Sequence, residues 1–491
     1  MNKSSTHKKV LLVNPPRING VSWTREGRCQ EREDILGTVK PPFSLALIAS
    51  ILRENKIDFK LIDATAHDLT GNEIYAQLIE SNFHPDFIVY CTTTPTIIPD
   101  TEALSILKKR FNAKLAAFGT HIASVPEESM TKLPDIDIGI TGEPEYVVLD
   151  ILKQDNLSDL SSVKGIIWRN GEKLCLNARS EWLNNLDRLP VPAWDLLPLD
   201  NYTLPFTNER YILVETSRGC PFGCEFCVAH LNHGLKFRRR QPENVVNEIE
   251  DLKIKFNINY FYLWGDTVTL DKKFIENFCD ELIKRDIKIR WFTNTRADTL
   301  HDADLVRKMK ASGCWMLSIG IESSSQETRR DMNKKLETDN IKQAITLLRK
   351  VGILSFGFFI YGYPGETEKD LRETTKFALS LPLDYANFYP AVPYPGTAFY
   401  NRCVRDGYLS QNSWAKMEYS HYILNTKDLN ENIVKRAIFH AYRRFYLRPQ
   451  FIYRHLRNIG LKNFIGSSSQ YVIKFIKICF FDSCKQTRPL L

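Results

Sequence analysis

The first third of the chain alternates short apolar runs, rich in β-branched residues, with longer amphipathic stretches. Apolar residues at helical spacing predict helices near residues 44–55, 72–81, 100–111 and 144–153. The apolar runs between them predict five strands, at residues 9–14, 59–63, 87–91, 115–119 and 136–140. Strands that alternate with helices at this spacing need crossover connections, which produce a parallel sheet with helices on both faces. Residues 1–153 are therefore predicted to form a doubly wound (Rossmann-like) domain, whose ligand site lies beyond the carboxyl ends of the strands.

A second alternating series covers residues 209–400. Its six predicted strands lie at residues 211–216, 260–264, 288–293, 315–319, 354–360 and 385–388. Helical patterns separate them, most clearly at residues 242–256, 273–284 and 338–351. Six strand–helix units are too few for a closed eight-stranded barrel. The pattern therefore predicts a partial (β/α)6 barrel with its chemistry at the C-terminal ends of the strands.

The remaining segments are a connector and a C-terminal region. Residues 154–208 contain a predicted hairpin that turns at Asn170-Gly171, followed by a proline-rich stretch at residues 189–194 that favours no regular element. Residues 401–491 are predicted to be mainly helical, with one helix near residues 432–446. The predicted fold class is therefore α/β, with a helical C-terminal addition.

Composition narrows the class of protein. The 491 residues are 43% hydrophobic and 25% charged, which is typical of globular domains and excludes a disordered or fibrous chain. No apolar stretch approaches the ~20 residues that cross a bilayer, and the apolar run at residues 10–13 is too short for a signal peptide. These observations predict a cytoplasmic protein.

The net charge of +8 is concentrated at the C-terminus. Residues 431–491 contain 12 Lys or Arg and 2 Asp or Glu, so the rest of the chain is almost neutral and no nucleic-acid partner is indicated. Between Arg443 and Lys477 this tail interleaves aromatic residues with cations. Such a segment would contact an anionic membrane surface, or an acidic or lipid-like substrate. The interpretation that we favour is a solvated helical cap over the barrel mouth.

Three of the 11 cysteines are close together in sequence, directly after the first strand of the predicted barrel. Cys220, Cys224 and Cys227 have the spacing Cys-x3-Cys-x2-Cys in a glycine-containing loop. Glycines let a backbone wrap closely, and three thiolates on one short loop converge on a soft metal centre. A four-iron cluster normally takes four cysteines, so three would leave one iron open to a ligand. The alternatives are a zinc site completed by His230 and an accidental grouping in a turn.

This cysteine loop, after the first strand of a six-unit partial barrel, resembles that of the radical S-adenosylmethionine (SAM) superfamily. The resemblance implies that Cys220, Cys224 and Cys227 are the metal ligands and hold a 4Fe-4S cluster whose fourth iron binds SAM. It also implies that a reducing partner such as flavodoxin or ferredoxin supplies the electron that cleaves SAM. The resulting 5′-deoxyadenosyl radical would abstract hydrogen from the substrate. Phe226 lies where the family usually has an aromatic residue.

Further motifs resemble those of the cobalamin-binding radical SAM family. They are spread over most of residues 9–400 and comprise Val13-Asn14-Pro15-Pro16, Pro41-Pro42, Gly142-Glu143-Pro144-Glu145, Ser318-Ile319-Gly320-Ile321-Glu322-Ser323, Tyr361-Gly362-Tyr363-Pro364-Gly365-Glu366-Thr367 and Pro393-Tyr394-Pro395-Gly396-Thr397. The histidine motif with which many cobalamin domains bind cobalt is absent, since Asp63, His67 and Gly71 have the wrong spacing. The resemblance implies that cobalamin binds without a protein histidine. The alternative is a doubly wound domain with a purely structural role.

Polar and glycine residues at the predicted strand ends are the remaining candidates for cofactor binding. In the doubly wound domain they are Thr93, Thr94, Gly119, His121, Gly142 and Glu143. In the barrel they are Gly265, Asp266, Arg296, Glu322 and Gly362. By resemblance, Glu322 contacts SAM, and His121 would touch the corrin. The structural alternatives are helix caps for the acidic residues of the barrel, a surface ion pair for the arginine, a tight turn at Gly362 and an ordinary structural role for the histidine.

The sequence thus predicts an enzyme whose cofactors are a 4Fe-4S cluster, SAM and cobalamin. By resemblance, the leading reaction is methyl transfer to an unactivated carbon of a small-molecule or lipid-like substrate. The alternative reaction is an oxidative cyclisation or rearrangement, as in the anaerobic cyclases of tetrapyrrole synthesis. A zinc-stabilised binding protein is a third interpretation. No catalytic side chain stands out, since a radical that abstracts hydrogen needs no general base.

Overall fold

The computed structural model describes residues 8–27, 39–204, 208–409, 413–451 and 453–454. These residues form two mainly parallel sheets, each flanked by helices, followed by a helical C-terminal region. The predicted α/β fold class is confirmed.

The N-terminal sheet is doubly wound. Its parallel strands are β1 (Val10–Asn14), β2 (Phe59–Asp63), β3 (Phe87–Cys91), β4 (Lys114–Phe118) and β5 (Ile138–Ile140). Their order across the sheet is β2-β1-β3-β4-β5. The helices of this part are α1 (Phe43–Glu54), α2 (Ala64–His67), α3 (Gly71–Glu80), α4 (Ile97–Phe111), α5 (Thr120–Ser124), α6 (Pro126–Lys132) and α7 (Pro144–Leu152). The chain leaves β1 for β2 on one side and returns to β3 on the other, so a ligand crevice opens beyond the ends of β1 and β3.

The predicted hairpin of the connector extends this sheet. β6 (Ile166–Asn170) and β7 (Lys173–Leu176) pair with each other through a turn at Gly171, and β6 pairs antiparallel with β5. The sequence predicts the hairpin from its Asn-Gly turn. It does not show where the hairpin docks, because any uncovered strand edge could receive it.

The second sheet is the partial barrel. In chain order, its strands and a short adjoining ladder are β8 (Tyr211–Glu215), β9 (Ser217–Arg218), β10 (Arg238–Arg239), β11 (Tyr260–Trp264), β12 (Arg290–Thr295), β13 (Cys314–Glu322), β14 (Leu354–Tyr361) and β15 (Tyr385–Pro390). β8 and β11–β15 are parallel neighbours in that order, whereas β9 and β10 pair antiparallel with each other. The helices are α8 (Ala229–His233), α9 (Pro242–Phe256), α10 (Lys272–Lys284), α11 (Ala303–Ala311), α12 (Gln326–Asp331), α13 (Thr338–Val351) and α14 (Glu368–Ser380). The predicted (β/α)6 architecture is confirmed.

The hydrophobic core of the barrel lies between its strands and its outer helices. Phe278 from α10, for example, meets Trp291 from β12 edge-on with ring centroids 5.7 Å apart, and both rings are fully buried. The N-terminal sheet carries a separate core on each face. This packing fixes the strands whose carboxyl ends carry the candidate residues.

The C-terminal region contains α15 (Ala398–Arg405) and α16 (Glu431–Tyr446). α16 lies along the edge strand β15. The Tyr442 hydroxyl accepts a hydrogen bond from the N–H of Phe388 (3.2 Å), and the Tyr446 hydroxyl accepts one from the N–H of Ala386 (3.1 Å). α16 therefore packs along the edge strand of the barrel, and its Val434 lies against Gly362 at the carboxyl end of β14.

The rest of the basic tail, residues 455–491, lies outside the described residues. None of the described helices is long and apolar enough to span a membrane.

Candidate functional site

The cysteine loop lies at the C-terminal end of the first barrel strand, between β9 and α8. It begins with Gly219, whose φ is +85° and where a Cβ atom would collide with the carbonyl oxygen of Lys236. The N–H of Gly219 donates a 2.9 Å hydrogen bond to Asp266 Oδ2. The N–H of Cys220 donates to the carbonyl of Gly234 (3.3 Å). These contacts fix the first half of the loop.

The second half of the loop is held from the opposite side of the barrel. The N–H of Glu225 donates to the carbonyl of Met332 (3.0 Å), and its carboxylate accepts a 3.1 Å hydrogen bond from the hydroxyl of Tyr363. Asn333 Nδ2 donates to the carbonyl of Gly223 (2.9 Å). Protein contacts on both sides therefore determine the conformation of the loop.

The three thiols differ in exposure. Cys224 is buried, whereas Cys220 and Cys227 are partly exposed. Burial raises the pKa of Cys224, while the cations of Lys334 and Arg296 act in the opposite direction. Nearby cations favour thiolates, which are the form that binds metal.

The side chains around the loop bear on the alternative of a single zinc ion. Within the ranges that the structure describes, no three His, Cys, Asp or Glu side chains lie close enough together to hold one metal ion, which is what a zinc site needs. A 4Fe-4S cluster instead takes one thiolate at each of several separate iron atoms. The zinc alternative with His230 therefore has no preformed site here.

Glu322 ends β13 in a left-handed backbone conformation, with a φ of +68°. Such a φ is uncommon for a residue with a side chain and is concentrated at functional sites. Its carboxylate forms a buried 2.8 Å ion pair with Lys334 Nζ. Gly320 leaves room for this pair, since a Cβ atom there would collide with both charged groups. Lys334, which no sequence motif marks, thus holds Glu322 at the barrel mouth.

Arg296 supports the cysteine loop from the end of β12. Its guanidinium lies over the ring of Phe222, 3.7 Å from the centroid. It also pairs with Asp298 at 2.8 Å and donates to the carbonyl of Lys334 at 2.9 Å. The predicted Arg–Asp pair is present, but the arginine is buried beneath the loop rather than on the surface.

Asp266 contacts the cysteine loop and the helix that follows it. Its Oδ2 accepts from the N–H of Gly219 and lies 3.1 Å from His233 Nδ1. Burial alone would lower the pKa of His233, but the Asp266 carboxylate outweighs this effect and raises it. Asp266 therefore supports the cysteine loop rather than capping a helix.

The two candidate glycines of the barrel make room for protein groups. A Cβ atom at Gly265 would lie 2.5 Å from Ser217 Oγ. At Gly362, which has a φ of +84°, a Cβ atom would lie 2.6 Å from the ring of Tyr422. Both glycines lie at the mouth as predicted, and the close packing of neighbouring groups leaves no room for a side chain at either position.

At the carboxyl ends of the N-terminal sheet, Thr93 and Thr94 are buried. Gly119 has a φ of +117°, and a Cβ atom there would collide with a carbonyl oxygen of the loop after β3. Gly142 makes room for the hydroxyl of Ser180, 2.9 Å from the position of a Cβ atom. The predicted strand ends are thus brought together at one edge of the sheet.

His121 is fully buried in α5 at this edge. Its Nδ1 lies 3.2 Å from Thr94 Oγ1, and its ring meets that of Trp414 edge-on at 4.2 Å. Burial lowers the pKa of His121 to about 3, so the imidazole is neutral. Among the described residues, neither His121 Nε2 nor Thr120 Oγ1 has a hydrogen-bond partner. Buried polar atoms are costly without partners, so these two fit a ligand that brings hydrogen-bonding groups to this edge.

Glu143 connects the two sheets. Its carboxylate pairs with Arg238 (2.9 Å) and Arg218 (3.3 Å), which flank the cysteine loop. Arg218 also pairs with Glu145 (2.6 Å) and with Glu215 (2.7 Å). All five side chains are almost completely buried. The predicted cofactor residue Glu143 is therefore part of a buried ion-pair network between the two sheets.

Sequence reasoning missed several buried charges near the site. Arg218 directly precedes the cysteine loop. Its charge, at the end of an apolar strand, could have identified it as a candidate from the sequence. Arg25 and Asp100 form a fully buried 2.6 Å pair at the edge of the N-terminal sheet. Glu26 accepts hydrogen bonds from the backbone and hydroxyl of Ser44, and burial raises its pKa to about 7. No local pattern marks these last three residues.

Comparison with known proteins agrees with this geometry. The family model of the Radical SAM superfamily matches residues 214–378, which include the cysteine loop. An uncharacterized methyltransferase of Pyrococcus horikoshii is 31% identical over 453 residues, covering 91% of this chain and 94% of the relative. The anaerobic magnesium-protoporphyrin IX monomethyl ester cyclase of Cereibacter sphaeroides is 28% identical, covering 91% of this chain and 74% of the relative.

The fold is also similar to that of a solved structure. The cobalamin-dependent S-adenosylmethionine radical enzyme OxsB, with aqua-cobalamin and S-adenosylmethionine bound, superposes with a TM-score of 0.72 at 18% identity. The match covers 96% of this chain and 72% of that one, so it includes both sheets. With the cysteine loop at the mouth of a partial barrel, the matching family model and a relative similar over nearly the whole length, this chain belongs to the radical SAM superfamily.

Proposed function

We propose that this chain holds a 4Fe-4S cluster on Cys220, Cys224 and Cys227, and cobalamin at the carboxyl edge of its N-terminal sheet. Its proposed reaction is the transfer of a methyl group from SAM to an unactivated carbon of a small molecule, with a flavodoxin- or ferredoxin-like electron donor. When bound, the cluster and SAM supply a radical that abstracts hydrogen, and cobalamin supplies a methyl carrier.

The contact between the two sets of strand ends carries this proposal. Arg218 and Arg238, on either side of the cysteine loop, form buried ion pairs with Glu143 and Glu145 after β5. Helix α5, after β4, packs against α8, which begins two residues after Cys227. Ligands at the two ends would therefore lie side by side, as a methyl relay requires.

On the barrel side, residues of this chain position the cluster ligands and SAM. Lys334 and Arg296 act on the Cys224 thiol to favour the thiolate. Lys334 also fixes the carboxylate of Glu322 at the end of β13. A carboxylate held there accepts hydrogen bonds from the ammonium or the ribose hydroxyls of SAM.

On the side of the N-terminal sheet, His121 and Thr120 offer the polar atoms that lack partners among the described residues. A neutral imidazole and a hydroxyl match the amide groups at the rim of a corrin, which both donate and accept hydrogen bonds. His67 is exposed at the end of α2, and this proposal assigns it no role in cobalamin binding.

Cofactor content and products test this proposal. Protein prepared anaerobically with cobalamin supplied is expected to contain about four irons and about one corrinoid per chain. With SAM and a reductant it is expected to form 5′-deoxyadenosine and S-adenosylhomocysteine. Cys224→Ala is expected to lose the iron, whereas Cys175→Ala, which removes a partly exposed thiol of β7, is expected to retain it. Iron without corrinoid would refute the methyl relay.

Oxidative cyclisation is a second candidate, favoured by the similarity to the cyclase of Cereibacter sphaeroides. The two reactions differ in their products from SAM. Methyl transfer yields S-adenosylhomocysteine together with 5′-deoxyadenosine, whereas a cyclase yields 5′-deoxyadenosine alone. Corrinoid-loaded protein that forms 5′-deoxyadenosine and never S-adenosylhomocysteine would therefore favour the cyclase.

A further inference from the structure

The C-terminal region returns to the N-terminal sheet on both sides of α15. After this helix, three residues are buried in the hydrophobic core on one face of that sheet, and these are Trp414, Met417 and Ile423. Before it, a turn contacts α5, because a Cβ atom at Gly396 would lie 2.8 Å from the Cβ atom of Ser124. The C-terminal region therefore packs on the domain whose strand ends carry the proposed cobalamin site.

Trp414 lies beside the first turn of α5. Its ring meets that of His121 edge-on, with the ring centroids 4.2 Å apart. The Nζ of Lys132, at the end of α6, lies over the same indole, 4.3 Å from its centroid. Ring–ring and cation–ring contacts of this kind are favourable only in particular orientations. The two contacts therefore hold the indole of Trp414 in one position against α5.

Three buried polar atoms at this place lack a hydrogen-bond partner among the described residues. They are Thr120 Oγ1, His121 Nε2 and Trp414 Nε1, and each of the three residues is more than nine-tenths buried. An indole N–H can only donate, whereas a hydroxyl both donates and accepts. Buried polar atoms without partners are costly and rare. A group of three at one place indicates a ligand that carries hydrogen-bonding groups of its own.

These atoms lie where a doubly wound sheet binds its ligands. Thr120 and His121 begin α5, which follows β4 after the single residue Gly119, so they are at the carboxyl edge of the sheet. Ligands of such sheets bind beyond this edge. Trp414 brings to the same edge an N–H donor from a part of the chain outside the doubly wound domain.

We propose that the C-terminal region completes the cobalamin site, and that the indole N–H of Trp414 donates a hydrogen bond to bound cobalamin. This inference rests on the proposed function, because it adds a binding residue to the cobalamin site of that function. The amide side chains of a corrin carry carbonyl oxygens, which accept such a bond. Bound cobalamin would then connect the N-terminal sheet to the C-terminal region.

Equilibrium dialysis of the iron-loaded full chain against hydroxocobalamin measures this contact. Trp414→Phe removes the N–H but keeps an aromatic ring beside His121. Its affinity for cobalamin is expected to be about threefold to tenfold lower than that of the parent chain, as for the loss of one hydrogen bond.

Trp315→Phe is the matched control. Its Nε1 also lacks a partner within the described part of the chain, but Trp315 is the second residue of β13 and so lies at the amino end of that strand, away from the cofactor sites. Unchanged affinity for cobalamin is expected. Parent-like affinity of Trp414→Phe, or an equal loss in the two variants, would overturn the proposal.

Hydrogen exchange distinguishes a ligand contact from a purely structural effect of the substitution. In the parent chain, added cobalamin is expected to slow amide exchange in peptides that cover residues 413–424 as well as in those that cover α5, because the ligand stabilises both against local opening. In Trp414→Phe, the slowing is expected to be smaller over residues 413–424 and to persist at α5. If cobalamin leaves the exchange of residues 413–424 in the parent chain unchanged, the C-terminal region is not part of the site.

Failure of this inference is separable from failure of the proposed function. Protein that binds cobalamin and forms S-adenosylhomocysteine equally well with Trp414 or with phenylalanine at this position would overturn this inference alone. Protein that holds iron but binds no corrinoid would refute the methyl relay, and this inference with it.

Discussion

Arg218 is the residue whose removal should most disturb the junction of the two sheets. Its side chain is 2% exposed and contacts Glu145, Glu215 and Glu143 at 2.6, 2.7 and 3.3 Å. Arg218→Met keeps a long side chain but leaves Glu145 and Glu215 without their closest cation, whereas Glu143 keeps Arg238. Breaking a buried ion pair by removing one partner costs about 3–5 kcal/mol. That is a large part of the roughly 5–15 kcal/mol by which proteins are usually stable.

Thermal unfolding of the full chain measures this loss. Because the unfolding entropy of the 491-residue chain is about 1 kcal/mol/K, a cost of this size is expected to lower the Tm by roughly 3–5 °C. Arg307→Met is the control, since its pair with Asp304 is exposed on both sides, and its removal should cost less than about 1 kcal/mol. The double variant Arg218→Met/Glu145→Gln should regain part of the loss, because one uncompensated charge is gone. If Arg218→Met unfolds at the temperature of the control, or the second substitution gives no recovery, the ion-pair argument is wrong.

Three further predictions concern pH, backbone strain and the barrel mouth. Burial alone would raise the pKa of Glu143, but the two arginines beside it hold it at about 2. Ionised Glu143 should therefore contribute ~3 kcal/mol to the free energy of unfolding above pH ~4.5, and this contribution should be lost as the pH falls towards ~2. Urea unfolding of Glu143→Gln and of the parent chain at a series of pH values measures it. Gly119→Ala should destabilise by about 2 kcal/mol or more in the same assay, because it combines a positive φ with a collision, whereas Gly407→Ala has a positive φ alone. Lys334→Met should cost about 3 kcal/mol by leaving Glu322 buried and unpaired, and equilibrium dialysis should show weaker SAM binding. The argument for Glu143 is wrong if the stability difference between Glu143→Gln and the parent chain does not vary with pH. Equal stability of the two glycine variants would contradict the argument for Gly119, and unchanged SAM affinity of Lys334→Met would contradict the argument for Lys334.

Apolar periodicity predicts both sheets because it reports which face of each local segment is buried. The predicted and observed limits of β11 are identical, and the other barrel strands agree within three residues. The largest error is at the end of β13, which continues to Glu322. There a bulge between Gly320 and Glu322 keeps the strand paired with β14, and a bulge depends on the partner strand rather than on local hydrophobicity.

The partners of the site residues were beyond the reach of sequence reasoning, because they are distant along the chain. Arg218 meets Glu145 across 73 positions, and no local pattern connects them. Gly119 and Gly362 show a related limit. Both were predicted to admit a ligand, but their Cβ positions are taken by the backbone after β3 and by the ring of Tyr422. A glycine in a sequence indicates that space is needed and does not identify the group that needs it.

The tyrosines of α16 also set an order of events during synthesis. β15 is an edge strand, and the exposed backbone of an edge strand can pair with another chain. Its N–H groups find their partners in Tyr442 and Tyr446, 54 and 60 positions further along. At typical rates of translation, that length of chain takes roughly 3–12 s to make. During this time the last strand of a nascent barrel is complete, and its backbone can still pair with the nascent chain of a neighbouring ribosome. This exposure ends when α16 has been synthesised and covers β15.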